Sequence, residues 1–281
     1  MSMISPRRTF LTIIAYGAAS IVAFAFLYPY WWMLVGAFRR TRDVLSNPLR
    51  PFPEQIDFGV FSEIARIGGV DLWVYIVNSL LITTASTLLS VAVTALGAYA
   101  LVRRPDLPGF KVLRAGFLLT IMYPYMLLVI PVYVVMFKLG LLGTMAGIIL
   151  FLALGPIQFF LFEQFFRAIP PSVIEAALID GANEVTILTR IVMPMAAPVV
   201  ATVTLITFLL NWSQWFPILV ISRSSDTYTL PVALLSMNTE LGSNFQGIMA
   251  LAVLTTLPPA ILFVMAQKRV MAGMAAGAVK G

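Results

Sequence analysis

Long apolar runs separated by shorter polar segments dominate this chain. Six of them, at about 10–38, 74–102, 115–137, 142–162, 196–221 and 246–266, reach the roughly 20 residues that a helix needs to cross about 30 Å of hydrocarbon. The runs are continuous and lack period-2 alternation, so they predict helices rather than strands. The first follows Arg7 and Arg8 and far exceeds the apolar core of a signal peptide, about 7–15 residues, so an uncleaved first span is expected. Residues 39–73 carry Pro48, Pro51 and Pro53 and predict an ordered loop with extended stretches. Residues 222–245 are polar apart from a short apolar element at 229–235.

Composition narrows the class. Of 281 residues, 60% are hydrophobic and 11% charged, whereas a soluble domain carries about 25% charge. An ordinary cytosolic enzyme, a disordered chain and a nucleic-acid module are thereby excluded. The chain has no Cys and no His, which removes disulfides, Cys/His zinc sites and Ser–His or Cys–His nucleophiles. None of the six cores contains Asp, Glu, Lys or Arg. A proton-driven transporter or an intramembrane hydrolase needs an ionisable group at depth. The energy for any transport is therefore expected from a partner subunit.

Charge sets the expected orientation. With the N-terminus inside, the inner segments hold eleven Lys and Arg against seven outside, and the whole formal excess of +6 lies on the inner face. Arg39, Arg40 and Arg42 oppose this, because they follow the first span directly and outnumber Arg7 and Arg8.

The inner loop 163–195 is the most informative stretch. Pro170 and Pro171 stop the fourth span. Ser172 with Glu175 reads as a capping box, so a short helix should start there and end at Gly181. A second helix should begin near Asn183 or Glu184 and run into the fifth span. Val173, Ile174, Ala177 and Leu178 can form one apolar side, suited to a groove in a soluble partner. The alternative is that the loop only covers the bundle end.

The sequence Glu175-Ala176-Ala177, three residues, Gly181, nine residues, Ile191, one residue, then Met193-Pro194 resembles the EAA loop of binding-protein-dependent ABC importer permeases, with Met193 where that family has Leu. Pro170, Glu175, Asp180, Gly181, Ala182 and Pro194 further resemble its carbohydrate (MalG-type) branch, as does the tail ending Gly277-Ala278-Val279-Lys280-Gly281. The resemblance covers essentially the whole chain and is weakest over 39–73. It implies an all-α integral membrane protein of six transmembrane helices, with the fold of a MalG-like type I ABC importer permease. Residues 1–281 would form one permease domain, with 163–195 as the cytoplasmic coupling loop and 267–281 as a cytoplasmic tail.

The same resemblance implies that Glu175, Ala176, Ala177, Asp180, Gly181, Ile191 and Pro194 couple the chain to an ABC ATPase dimer, which Gly277 to Gly281 would also approach. ATP and magnesium would be held by that partner, and no cofactor by this chain. The other implied partners are a second permease forming a heterodimer, membrane lipid, and an extracytoplasmic solute-binding protein docking on 39–73 or 222–245. No nucleic acid is expected. The implied location is the bacterial inner membrane, with both termini cytoplasmic.

Asn211 and Gln214 lie three residues apart in the fifth span, as do Trp212 and Trp215. Amides can hydrogen-bond sugar hydroxyls and indoles can stack on sugar faces, but buried amides also glue helices and Trp also sits in interfacial belts. The Ser and Thr residues of the second span point to helix packing. Pro124 and Pro131 should bend the third. The expected function is translocation of a sugar or sugar derivative by alternating access. The alternatives are an anionic solute of glycerol-phosphate or sulfonated-sugar type and, more remotely, a channel-forming homo-oligomer.

Overall fold

The structure is a computed structural model and describes residues 6–48, 50–240 and 244–278. It is almost entirely helical. Fifteen α-helices were found among the described residues, with one two-stranded ribbon. The chain divides into two compact units, residues 1–69 with 234–256 and residues 70–233 with 257–281.

The first unit contains α1 (Pro6–Gly36), the short helices α2 (Thr41–Ser46) and α3 (Gly59–Ile64), and parts of two later helices. The loop expected at 39–73 is ordered by polar side chains together with buried Val44, Val60 and Ile64. Arg39 is only 3% exposed and donates to the carbonyls of Asp43 at 2.6 Å, Asn47 at 2.9 Å and Arg50 at 3.3 Å. The guanidinium thus ties the end of α2 to the chain that follows it. Arg40 pairs with Asp57 at 3.2 Å. Arg39 and Arg40, two of the three arginines that oppose the charge rule, therefore have structural work to do.

The second unit is built around α4 (Leu72–Arg103), which packs against the helices that follow it. Its two faces are inverted relative to a soluble helix. Ser79, Thr83, Ser86, Thr87, Ser90 and Thr94 are buried, while Leu80, Leu81, Leu88, Val93 and Leu96 are exposed. Small hydroxyl residues let helices approach closely, and outward Leu and Val suit lipid. The helix stops where Arg104 precedes Pro105, a position biased away from helical geometry.

Three expected elements differ. The third span is two helices, α5 (Phe110–Met122) and α6 (Tyr125–Lys138), broken rather than bent at Pro124, which has no N–H to continue the ladder. The fourth is α7 (Met145–Leu152) and α8 (Pro156–Arg167), bent by 43° around Gly155. The fifth is α12 (Ala197–Trp212) and α13 (Phe216–Ile221), interrupted at Ser213–Trp215. Between them lie α9 (Pro171–Ile179), α10 (Glu184–Thr186), a π-helical turn at Ile187–Val192 and α11 (Met193–Met195). The 229–235 element is the start of α14 (Leu230–Glu240), and the chain closes with α15 (Phe245–Ala278). Three helices are individually long and apolar enough to cross a membrane, Phe10–Gly36, Leu72–Arg103 and Phe245–Gln267, and two bent pairs pass together.

Candidate functional site

The loop between α8 and α12 is a short exposed helix held between two chain breaks. It starts differently from the capping-box expectation. Pro170 is the N-cap and Pro171 the first helical residue, so Ser172 already lies inside the first turn and makes no cap bond. The end is as expected. Gly181 has φ +80°, the Gly181 N–H donates to Leu178 O at 3.0 Å and the Ala182 N–H to Ala177 O at 2.9 Å. That pair of bonds is a Schellman motif, which glycine adopts without a Cβ penalty. Asn183 caps the next helix, its side chain accepting from the Thr186 N–H at 2.8 Å.

The apolar side expected to face a partner is split. Ile174 and Ala177 are buried in the chain's own core with Tyr99, Phe162 and Phe166, and Val173 is half-buried. The outward face instead presents Glu175, Ala176, Leu178, Ile179 and Asp180. A cleft of about 350 Å³ runs beside it, bordered by Tyr99, Arg103, Ile174, Glu175 and Leu178. Ile191 packs against the same core, and Pro194 is exposed. The second helix does not run straight into the fifth span, because Glu184–Met195 meets α12 at a 74° bend. Pro194 and Pro198 flank that bend, and each removes an N–H from the ladder.

Two charged clusters flank this loop. The Glu184 carboxylate accepts from Tyr99 Oη at 2.9 Å and from Arg103 Nη2 at 2.7 Å and Nε at 3.3 Å. The Arg103 guanidinium, with help from Tyr99, holds the Glu184 carboxyl below the usual carboxylate range. Glu163, 3% exposed, accepts from Arg114 Nε at 3.0 Å and from Arg167 Nε and Nη2 at 2.9 and 2.8 Å. Sequence reasoning missed both clusters. Only the Glu163–Arg167 spacing of four residues was visible, whereas the other partners lie 49 and 81–85 residues apart.

A second feature lies within the helices. A cavity of about 540 Å³ has polar lining from Thr120, Tyr123, Gln158, Asn211 and Gln214 and apolar lining from Leu128 and Phe151 among others. Asn211 and Gln214 thus meet at one cavity. Asn211 also donates to Ser86 Oγ on α4 at 3.0 Å, so it glues helices as well. The indoles go elsewhere. Trp212 is buried and stacked on Phe208, and the Trp215 ring meets Phe216 edge-on. Gly277 and Ala278 close α15, while Val279, Lys280 and Gly281 lie outside the described residues.

Outward apolar faces, a hydroxyl-lined interior and a loop helix displayed at one end define a helical membrane protein of the transport class. Residues 93–275 match the family described as "Binding-protein-dependent transport system inner membrane component", and the chain belongs to it. It is a permease component of ABC importers and not a catalytic enzyme. Relatives extend over nearly the full length. The chain is 29% identical to the diacetylchitobiose uptake system permease protein DasC of Streptomyces coelicolor, over 94% of this chain and 95% of that protein. It is 32% identical to the melibiose/raffinose/stachyose import permease protein MelC of Bacillus subtilis, with the same coverage. Its fold matches that of a bacterial ABC transporter involved in import of the acidic polysaccharide alginate, with a TM-score of 0.76 at 24% identity over 95% of this chain and 99% of that one.

Proposed function

We propose that this chain forms one half of the translocation path for a sugar or sugar derivative, driven by an ATPase pair that grips α9. The observation that carries this reading is the displayed helix itself, with Glu175, Leu178 and Ile179 exposed on a segment fixed at both ends. Glu175 supplies a charged contact, Gly181 the sharp exit, and Ile191 and Pro194 the return to the bundle. Closure of the ATPase dimer moves residues 172–194, and the bundle rocks between outward- and inward-open states. Loop 163–195 then faces the cytoplasm, which puts both termini inside. The tail 277–281 approaches the ATPases. A second permease completes a heterodimer, and a solute-binding protein docks outside on 39–73 or 222–245.

The sugar class rests on relatives such as DasC and MelC, whose names state oligosaccharide uptake. Asn211 and Gln214 are the path residues that the cavity favours, whereas Trp212 and Trp215 pack against Phe208 and Phe216. An anionic solute would need a cation in the path, which the second permease would have to supply.

Purification of the tagged chain from native membranes tests the assignment. A stoichiometric ATPase pair with a second permease supports it, whereas a chain that purifies alone or only with itself refutes it. Glu175→Lys and Gly181→Val should each abolish uptake and loosen the ATPase while membrane insertion stays normal. Unchanged uptake in either variant would remove the coupling role.

A further inference from the structure

The three donors on Glu184 come from one patch of α4. Tyr99 and Arg103 stand one helical turn apart on its last two turns, and both reach the same carboxylate. Glu184 opens the segment that follows the displayed helix, three residues beyond Gly181. Tyr99 also belongs to the apolar cluster that takes Ile174 and Ala177 from α9. The same stretch of α4 therefore holds this loop twice, by packing before Gly181 and by charge after it.

The covalent route from the loop to α12 is built differently. It passes through the π-helical turn Ile187–Val192, then Pro194, then the 74° bend before Ala197. A π-turn widens the hydrogen-bond ladder and often marks a functional site. Ile187, Val192 and Ala196 on that route lie in the same buried cluster as Tyr99, and Asn211 ties α12 to Ser86 on α4, so a push on α9 reaches α12 chiefly through α4.

We infer that Glu184 is a positioning residue that locks the coupling helix to α4, so that α9 and α4 move as one body and carry α12 with them. This rests on the coupling role proposed above for α9. Glu184 touches neither solute nor nucleotide in this scheme and acts only through Arg103 and Tyr99. The pair is half-exposed, and ion pairs of that kind add little to folding stability. Its removal should therefore spare assembly and change how motion is delivered.

The chain has no Cys, so with the cysteines of its partner subunits replaced, labels enter only at the chosen sites. Leu96 on α4 and Val185 beside Glu184 are both well exposed. Spin labels at Leu96→Cys and Val185→Cys, in the assembled complex in lipid, report the distance across the tie by pulsed EPR. A methanethiosulfonate reagent on a separate Gln214→Cys chain reports the response of the segment just beyond α12. Both are read with and without Mg-ATP and vanadate.

With Glu184 intact, the 96–185 distance should stay fixed while nucleotide changes the labelling rate at 214 by at least about fivefold. Glu184→Gln should let the distance shift on nucleotide binding and remove that labelling response. The exchanged pair Arg103→Glu with Glu184→Arg should restore both. A 96–185 distance that shifts with Glu184 intact overturns the inference, and so does a full response in Glu184→Gln. If Glu184→Gln fails to assemble, the intact chain and the exchanged pair still decide. Should the unsubstituted chain bind no ATPase, the coupling reading itself has failed and the inference falls with it.

Discussion

At the scale of single residues, the decisive side chains are carboxylates held by more than one donor. Glu163 is buried, yet both of its arginine partners are about half-exposed. Their guanidiniums keep contact with water while satisfying a carboxylate that cannot. Glu163→Gln removes the charge that both arginines serve and should lower stability by about 1–3 kcal/mol. Arg114→Gln should cost less, because Arg167 remains. Thermal unfolding of the detergent-solubilised variants measures the order. Glu184 gives a pH test. Its carboxyl is lowered from an ordinary 4.5, so its tie to Arg103 and Tyr99, with Arg104 nearby, contributes fully above that value. The contribution is lost as pH falls through the lowered value, so the 96–185 distance should hold between pH 6 and 8 and loosen only in acid.

At the scale of elements, glycines and prolines determine where helices begin, bend and stop. Gly181 has open space around it and needs only its left-handed backbone. Gly181→Asn should therefore keep most transport, since Asn tolerates that conformation, whereas Gly181→Val should lose it. Gly147 in α7 is constrained by contact instead, because a Cβ there would collide with the Leu141 carbonyl oxygen. Gly147→Ala should destabilise the fold by about 1–3 kcal/mol, which a lowered melting temperature would record. Helix identities at this scale were legible from apolar runs, and the C-cap at Gly181 and the N-cap at Asn183 from residue type. The start of α9 was misread because Pro171 at the first position carries the helix back before Ser172.

For the whole molecule, the question is which polar groups face a path and which merely join helices. Asn211 does both, as it lines the 540 Å³ cavity and bonds Ser86. Gln214 lines the cavity with no bond to α4 among the described hydrogen bonds. Gln214→Ala should accordingly reduce solute uptake with little change in melting temperature, whereas Asn211→Ala should reduce both. Uptake assays paired with thermal unfolding separate the two effects. If Gln214→Ala leaves uptake intact, the cavity is not on the path.

The sequence alone determined that this chain is helical and membrane-embedded, because no soluble fold can hide apolar runs of that length. It also carried the resemblance of residues 175–194 to an EAA loop, on which the proposed coupling role rests, because that pattern is local and contiguous. Only the tertiary structure decided which face of α9 turns outward, and that Glu184 and Glu163 find arginines on other helices. Those outcomes depend on groups that chain folding brings together from 49 to 85 residues away, and no local period records such distances.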